Sequence, residues 1–99
     1  MKNKLYVICY DFPATRDGNK RRTRTIRILK GHGIRVQHSV FEGRFGSKEE
    51  LETMINRIRV VMKKAEDSVR IYPLNEITEK EIKILGRGEV FERKSVYIF

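Results

Sequence analysis

The stretch LYVICYD, Leu5 to Asp11, decides the fold. Leu5 to Tyr10 is apolar throughout, too short for a helix and without a polar face, so it reads as a central strand covered on both sides. The run closes on a carboxylate, Asp11. Phe12-Pro13 then stops the strand, because proline donates nothing to a ladder. Cys9, the chain's single cysteine, lies inside the run as a small core residue. With no partner for an internal disulfide, it points to a reducing compartment.

Working outward, Pro13 to Asn19 reads as a turn-rich loop, followed by a helix from Lys20 to Lys30 with Asn19 as its N-cap. Gly31-His32-Gly33 ends that helix. Ile34 to Arg44 is rich in β-formers and long for one strand: either one bent strand or two strands joined by a kink near His38-Ser39. Ser47 with Glu50 forms a capping box. The helix it opens carries Leu51, Met54, Ile55, Ile58, Val61, Met62 and Ala65 on one stripe and runs to about Lys64. Val69, Ile71 and Pro73 alternate with Arg70 and Tyr72 as a further strand. Thr78 and Glu81 mark a short helical turn around Ile82 to Leu85. Gly86-Arg87-Gly88 is a loop, and Ser95 to Phe99 is a final strand.

Two amphipathic helices on one face of an antiparallel sheet make an α+β, ferredoxin-like βαββαβ sandwich. All 99 residues form one domain, large enough to bury a core, with 86–99 as a C-terminal segment. The extra apolar strand and the bare sheet face both call for a second copy. The expectation is a homodimer that exchanges its C-terminal strand. No segment reaches the length of a membrane helix, and no signal peptide precedes the first strand, so the reading is a cytoplasmic protein.

The charge is concentrated. Met1 to Phe41 holds ten Lys/Arg against two acids, and the remainder holds twelve against eleven. Lys20, Arg24 and Arg27 follow one another at helical spacing, joined by Arg21, Arg22 and Lys30. Such clustering marks a surface for a polyanion, with phosphate contacts that give affinity without sequence preference. Phe41 and Phe45 share a strand face, where core packing competes with base stacking. The sequence has no zinc-binding spacing, no nucleophile–histidine–acid pattern and no P-loop, and His32 and His38 each stand alone. Asp11 has two readings. It caps the Pro13 to Asn19 loop through backbone amides, or it holds Mg²⁺, which needs only one or two carboxylates plus substrate phosphate. A two-fold axis that paired two Asp11 side chains would let them share one ion.

The pattern of YD closing the first strand, then KRRTR…ILKGHG, RVQHSVFEGR and EDSVRIYPL, resembles the CRISPR-associated endonuclease 2 family over residues 4–74. The terminal Val96 to Phe99 resembles that family's last strand. The resemblance implies a ferredoxin-like homodimer with an exchanged strand and with Asp11 as a metal ligand paired across the two-fold. Arg22, Arg24, Arg35 and Phe41 fall at positions associated with nuclease function, with Tyr10 beside the aspartate. His38 stands where tyrosine is usual, and the loop after Asp11 is longer and more charged. The implied activity is Mg²⁺-dependent cleavage of RNA or DNA in spacer acquisition. The contending reading is a non-catalytic dimeric scaffold that holds duplex DNA and bridges copies of the CRISPR integrase. A related RNA-cleaving toxin is a third.

Overall fold

The computed structural model describes residues 4–92. Their order is β1 (Lys4–Asp11), α1 (Arg16–Leu29), β2 (Gly33–Gln37), β3 (Val40–Phe45), α2 (Lys48–Val61), β4 (Ser68–Leu74) and α3 (Glu76–Lys80). The sheet runs β2-β3-β1-β4 with antiparallel pairing throughout. β1 is central, as its unbroken apolar run requires. Its alternation sends Tyr6, Ile8 and Tyr10 into a core with Phe41 and Phe45 from β3, Ile28 and Leu29 from α1, and Met54 and Ile58 from α2. Tyr6 meets the Phe45 ring edge-on at 5.4 Å between centroids. The result is the expected ferredoxin-like sandwich.

The segment 34–44 resolves into a hairpin, β2 and β3, joined at His38-Ser39 with a register shift between Arg35 and Gln37. Neither turn residue is a hairpin former. The tip is fixed instead by β1, where the Tyr10 hydroxyl donates to the His38 carbonyl at 3.0 Å and the Tyr10 amide to the Ser39 carbonyl at 3.1 Å.

Three expected boundaries are corrected. Helix α1 begins at Arg16, not Lys20, and its cap is Thr15, whose Oγ1 accepts from the Gly18 amide at 3.0 Å. Gly18 is a packing requirement inside the first turn rather than a loop marker: a Cβ there would stand 2.1 Å from the Pro13 carbonyl oxygen. Asn19 accepts instead from Arg22 Nη1 at 2.6 Å. Helix α2 stops at Val61, short of Lys64, because Met62 turns extended and Asp67 Oδ2 takes the Lys63 amide at 2.7 Å. The short helix is Glu76–Lys80, ahead of the expected Ile82 to Leu85, because Asn75 Oδ1 accepts from Thr78 at 2.8 Å and serves as the cap. The Ser47 cap of α2 stands as expected, accepting from the Glu50 amide at 3.1 Å.

The sheet's outer face is half covered by the chain itself. Arg44, only 8% exposed, donates its Nε to the Phe91 carbonyl at 2.8 Å and forks onto the Glu79 carboxylate. Phe91 in turn donates its amide to Glu42 Oε1 at 2.8 Å. Segment 76–92 is thereby bound across β3. The other half, carrying Val7, Cys9, Asp11, Arg70 and Tyr72, stays open. The expected terminal strand at 95–99 lies outside the described residues.

Asp67 joins three segments. Its carboxylate, fully buried, accepts from Arg21 Nε at 2.7 Å, from Arg21 Nη2 at 2.9 Å and from the Lys63 amide. The Arg21 guanidinium holds the Asp67 carboxyl below the ordinary carboxylate range, against the opposing effect of burial. A lowered folded-state value stabilises the protein above the unfolded pKa, near 4, and that contribution is lost as pH falls through the folded value. Asp67→Asn is therefore expected to lower Tm by several degrees at neutral pH and to flatten its fall on acidification, as read by circular dichroism melts from pH 7 to 2. Thr25 is 0% exposed and its hydroxyl has no hydrogen-bond partner among the described residues. Thr25→Val removes that buried polar group at nearly constant shape and should leave stability equal or raise it by about 1 kcal/mol in a urea titration.

Candidate nucleic-acid interface and the Asp11 cleft

Asp11 closes β1 opposite Ser68 of β4, and it is exposed. Immediately after it, Phe12 turns back into the core at 5% exposure, which fixes where the carboxylate emerges. Thr15 caps the helix that follows, and among the described residues the Asp11 carboxylate takes neither a hydrogen bond nor an ion pair. With Cys9, Tyr10, Ser68 and Arg70 it lines a shallow cleft on the open sheet face.

The candidate residues separate into three groups. Tyr10 and Phe41 are core residues, at 5% and 1% exposure, with ring centroids 6.1 Å apart. They brace the end of β1 and the β2–β3 hairpin behind Asp11 and offer no surface for a base to stack on. Arg21 and Arg22 are engaged internally. Arg21 grips Asp67 and, at 3.3 Å, Glu66, while Arg22 Nη2 donates to the Phe12 carbonyl at 3.1 Å. Arg22 thus straps α1 to the residue that follows Asp11.

The third group faces solvent. Lys20, Arg24 and Arg27 line one depression on α1 together with Asn19 and Thr23. Lys30 is exposed at the helix end, and Arg35 is exposed on the edge strand β2, in register with Phe41.

Arg70 and Ser68 are the residues a linear reading misses. Pairing EDSVRIYPL antiparallel against LYVICYD would have found them, because that register sets Arg70 opposite Cys9 and Ser68 opposite Asp11. Among the described residues no group of three or more His, Cys, Asp or Glu could hold a metal. The cleft itself is lined by a single carboxylate, Asp11, which suits a hydrated Mg²⁺ that takes its remaining ligands from phosphate, water or a second copy. No helix among the described residues is long and apolar enough to cross a membrane.

The fold is a ferredoxin-like domain with an exposed acid at the end of its central strand and solvent-facing cations along α1. The model of the family described as CRISPR associated protein Cas2 matches residues 4–82, and the chain belongs to that family. It is 46% identical to the Synechocystis protein named CRISPR-associated endoribonuclease Cas2 1, over 95% of this chain and 99% of that one. It is 33% identical to CRISPR-associated endonuclease Cas2 2 of Thermus thermophilus, over 99% of each. Among solved structures, Streptococcus pyogenes Cas2 superposes with a TM-score of 0.73 at 28% identity, covering 83% of this chain and 99% of that one. A chain of a partial Cas6-RT-Cas1–Cas2 complex superposes at 0.69 with 32% identity, covering 83% and 84%.

The division of the arginines is testable by stability alone. Arg22→Ala removes the bond to the Phe12 carbonyl and should cost about 1 kcal/mol, roughly 4–8 °C in Tm. Arg24→Ala, on the solvent face, should stay within about 3 °C of the parent by scanning calorimetry.

Proposed function

We propose that the chain is a metal-dependent endonuclease of CRISPR spacer acquisition, working in the cytoplasm as a homodimer on the phosphodiester bonds of RNA or DNA. The observation that carries this reading is the exposed Asp11 carboxylate at the mouth of the central strand, in a chain whose α1 turns cations to solvent. Its relatives' names, endoribonuclease and endonuclease, support it. The open half of the outer sheet face, with Tyr72 46% exposed, is the surface for a second copy. Two copies would bring two Asp11 side chains to one Mg²⁺. When bound, that ion supplies charge neutralisation at the phosphate and a water of lowered pKa. The chain's own part is to present the carboxylate through Phe12 and the Tyr10–His38 bond, and to hold the strand through Lys20, Arg24 and Arg27.

A second reading is favoured by the solved complex that contains both Cas1 and Cas2 chains. In it the dimer is a scaffold that holds duplex DNA and bridges two integrase copies, with the same arginines and without a need for Asp11.

The experiment is cleavage of labelled single-stranded RNA and duplex DNA, with Mg²⁺ or with chelator, by wild type and Asp11→Ala. The nuclease reading expects activity that needs metal and falls roughly 100-fold or more on substitution. Equal activity in the two proteins, or none, with duplex binding intact, leaves the scaffold. Arg24→Ala with Arg27→Ala should weaken binding and reduce the slope of log K against log salt by roughly 0.7–0.9 for each phosphate no longer neutralised. Light scattering at micromolar concentration should give twice the 11.7 kDa chain mass.

A further inference from the structure

We propose that Arg70 is the phosphate-binding cation of the Asp11 cleft, holding the phosphodiester that Asp11 acts on, while α1 supplies affinity for the rest of the strand. This assignment rests on the Asp11 reading above.

β4 runs antiparallel to β1 with Ser68 opposite Asp11 and Arg70 opposite Cys9, so Asp11 and Arg70 are diagonal neighbours on one sheet face. Diagonal pairs lie about 7–8 Å apart at the backbone, within reach of a long side chain. Both line the same cleft. Yet among the described residues no ion pair joins them, although each is a charged group with no other charged partner there.

The reason lies on Arg70's own strand. Its Nη1 donates to the Tyr72 hydroxyl at 3.2 Å, which draws the guanidinium along β4 and away from the carboxylate. The partner is a hydroxyl, so among the described residues of one chain no carboxylate offsets the positive charge. A guanidinium carries five N–H donors in a planar fork, and this bond uses one nitrogen. The remaining edge matches two oxygens of a phosphate. An acid and a cation kept apart in one cleft leave room for what each would bind: a metal ion at Asp11 and a phosphate oxygen pair at Arg70. Ser68, directly across from Asp11, adds a hydroxyl on the same wall.

Six other basic groups are placed elsewhere. Lys20, Arg24 and Arg27 line a separate depression on α1. Arg21 is held by Asp67, and Arg22 by the Phe12 carbonyl. Arg44 is held by Glu79 on the covered half of the sheet.

The test uses the intact chain and the smallest phosphodiester, a dinucleotide with a single internucleotide phosphate, titrated in chelator while backbone amide shifts of β1 and β4 are followed. Wild type is expected to show saturable shifts at Cys9, Asp11 and Ser68. Arg70→Ala should weaken that binding about tenfold, as removal of a charged hydrogen-bond donor does, and Arg70→Lys should recover part of it. With Mg²⁺, Arg70→Ala should also lower kcat on labelled oligonucleotide at least about tenfold. Dinucleotide binding equal to wild type in Arg70→Ala overturns the proposal, as does absence of saturable binding in wild type. A monomeric Arg70→Ala also overturns it, by assigning the residue to the interface between protomers. If Arg70→Ala does not fold, Arg70→Gln, which keeps most of the stem, is read by the same criteria. Should wild type and Asp11→Ala cleave alike, the nuclease reading fails separately, and the chelator titration still decides whether Arg70 holds phosphate.

Discussion

Everything in this molecule hangs on β1 occupying the middle of the sheet with both edges paired. A strand so placed has two faces with opposite duties. Tyr6, Ile8 and Tyr10 fill the space beneath the helices, and Cys9 and Asp11 are obliged by the two-residue repeat to point the other way. A one-residue slip would bury Asp11 among aromatic rings and expose Tyr10, so burial of the aromatics and presentation of the acid are one constraint. The Tyr10 hydroxyl extends that constraint to the neighbouring hairpin, whose turn contains no residue that would form it unaided.

The basic character of the chain is likewise divided by packing. Consecutive arginines at 21 and 22 lie about 100° apart on a helix, so adjacent residues have different fates. Arg21 turns inward to a buried carboxylate and Arg22 to a backbone carbonyl, whereas Lys20, Arg24 and Arg27 keep their charge for solvent. The first pair holds α1 to the turn before β4 and to the loop before the helix. The second set gives the helix its field.

Legibility follows the range of the interactions. The central strand, the α2 stripe and the Ser47 cap are readable because each is written within a few residues. The start of α1 is not, because Gly18 and Asn19 resemble a helix boundary in every local respect. Only the Pro13 carbonyl pressed against Gly18 shows why glycine stands inside the first turn. The hairpin at His38-Ser39 cannot be told from a bent strand by sequence because its anchor, Tyr10, is 28 positions away. The division of the arginines is hidden for the same reason: Asp67 lies 46 residues beyond Arg21. At the candidate site Asp11 is visible as a strand-ending acid. Arg70 is not, because its nearness to Asp11 exists only once β4 is laid against β1.

The bond from Arg22 to the Phe12 carbonyl ties helix α1 to the strand end that carries Asp11. The loop between them, Phe12 to Thr15, is therefore braced across its two ends, and Arg22 serves as a tie within the fold.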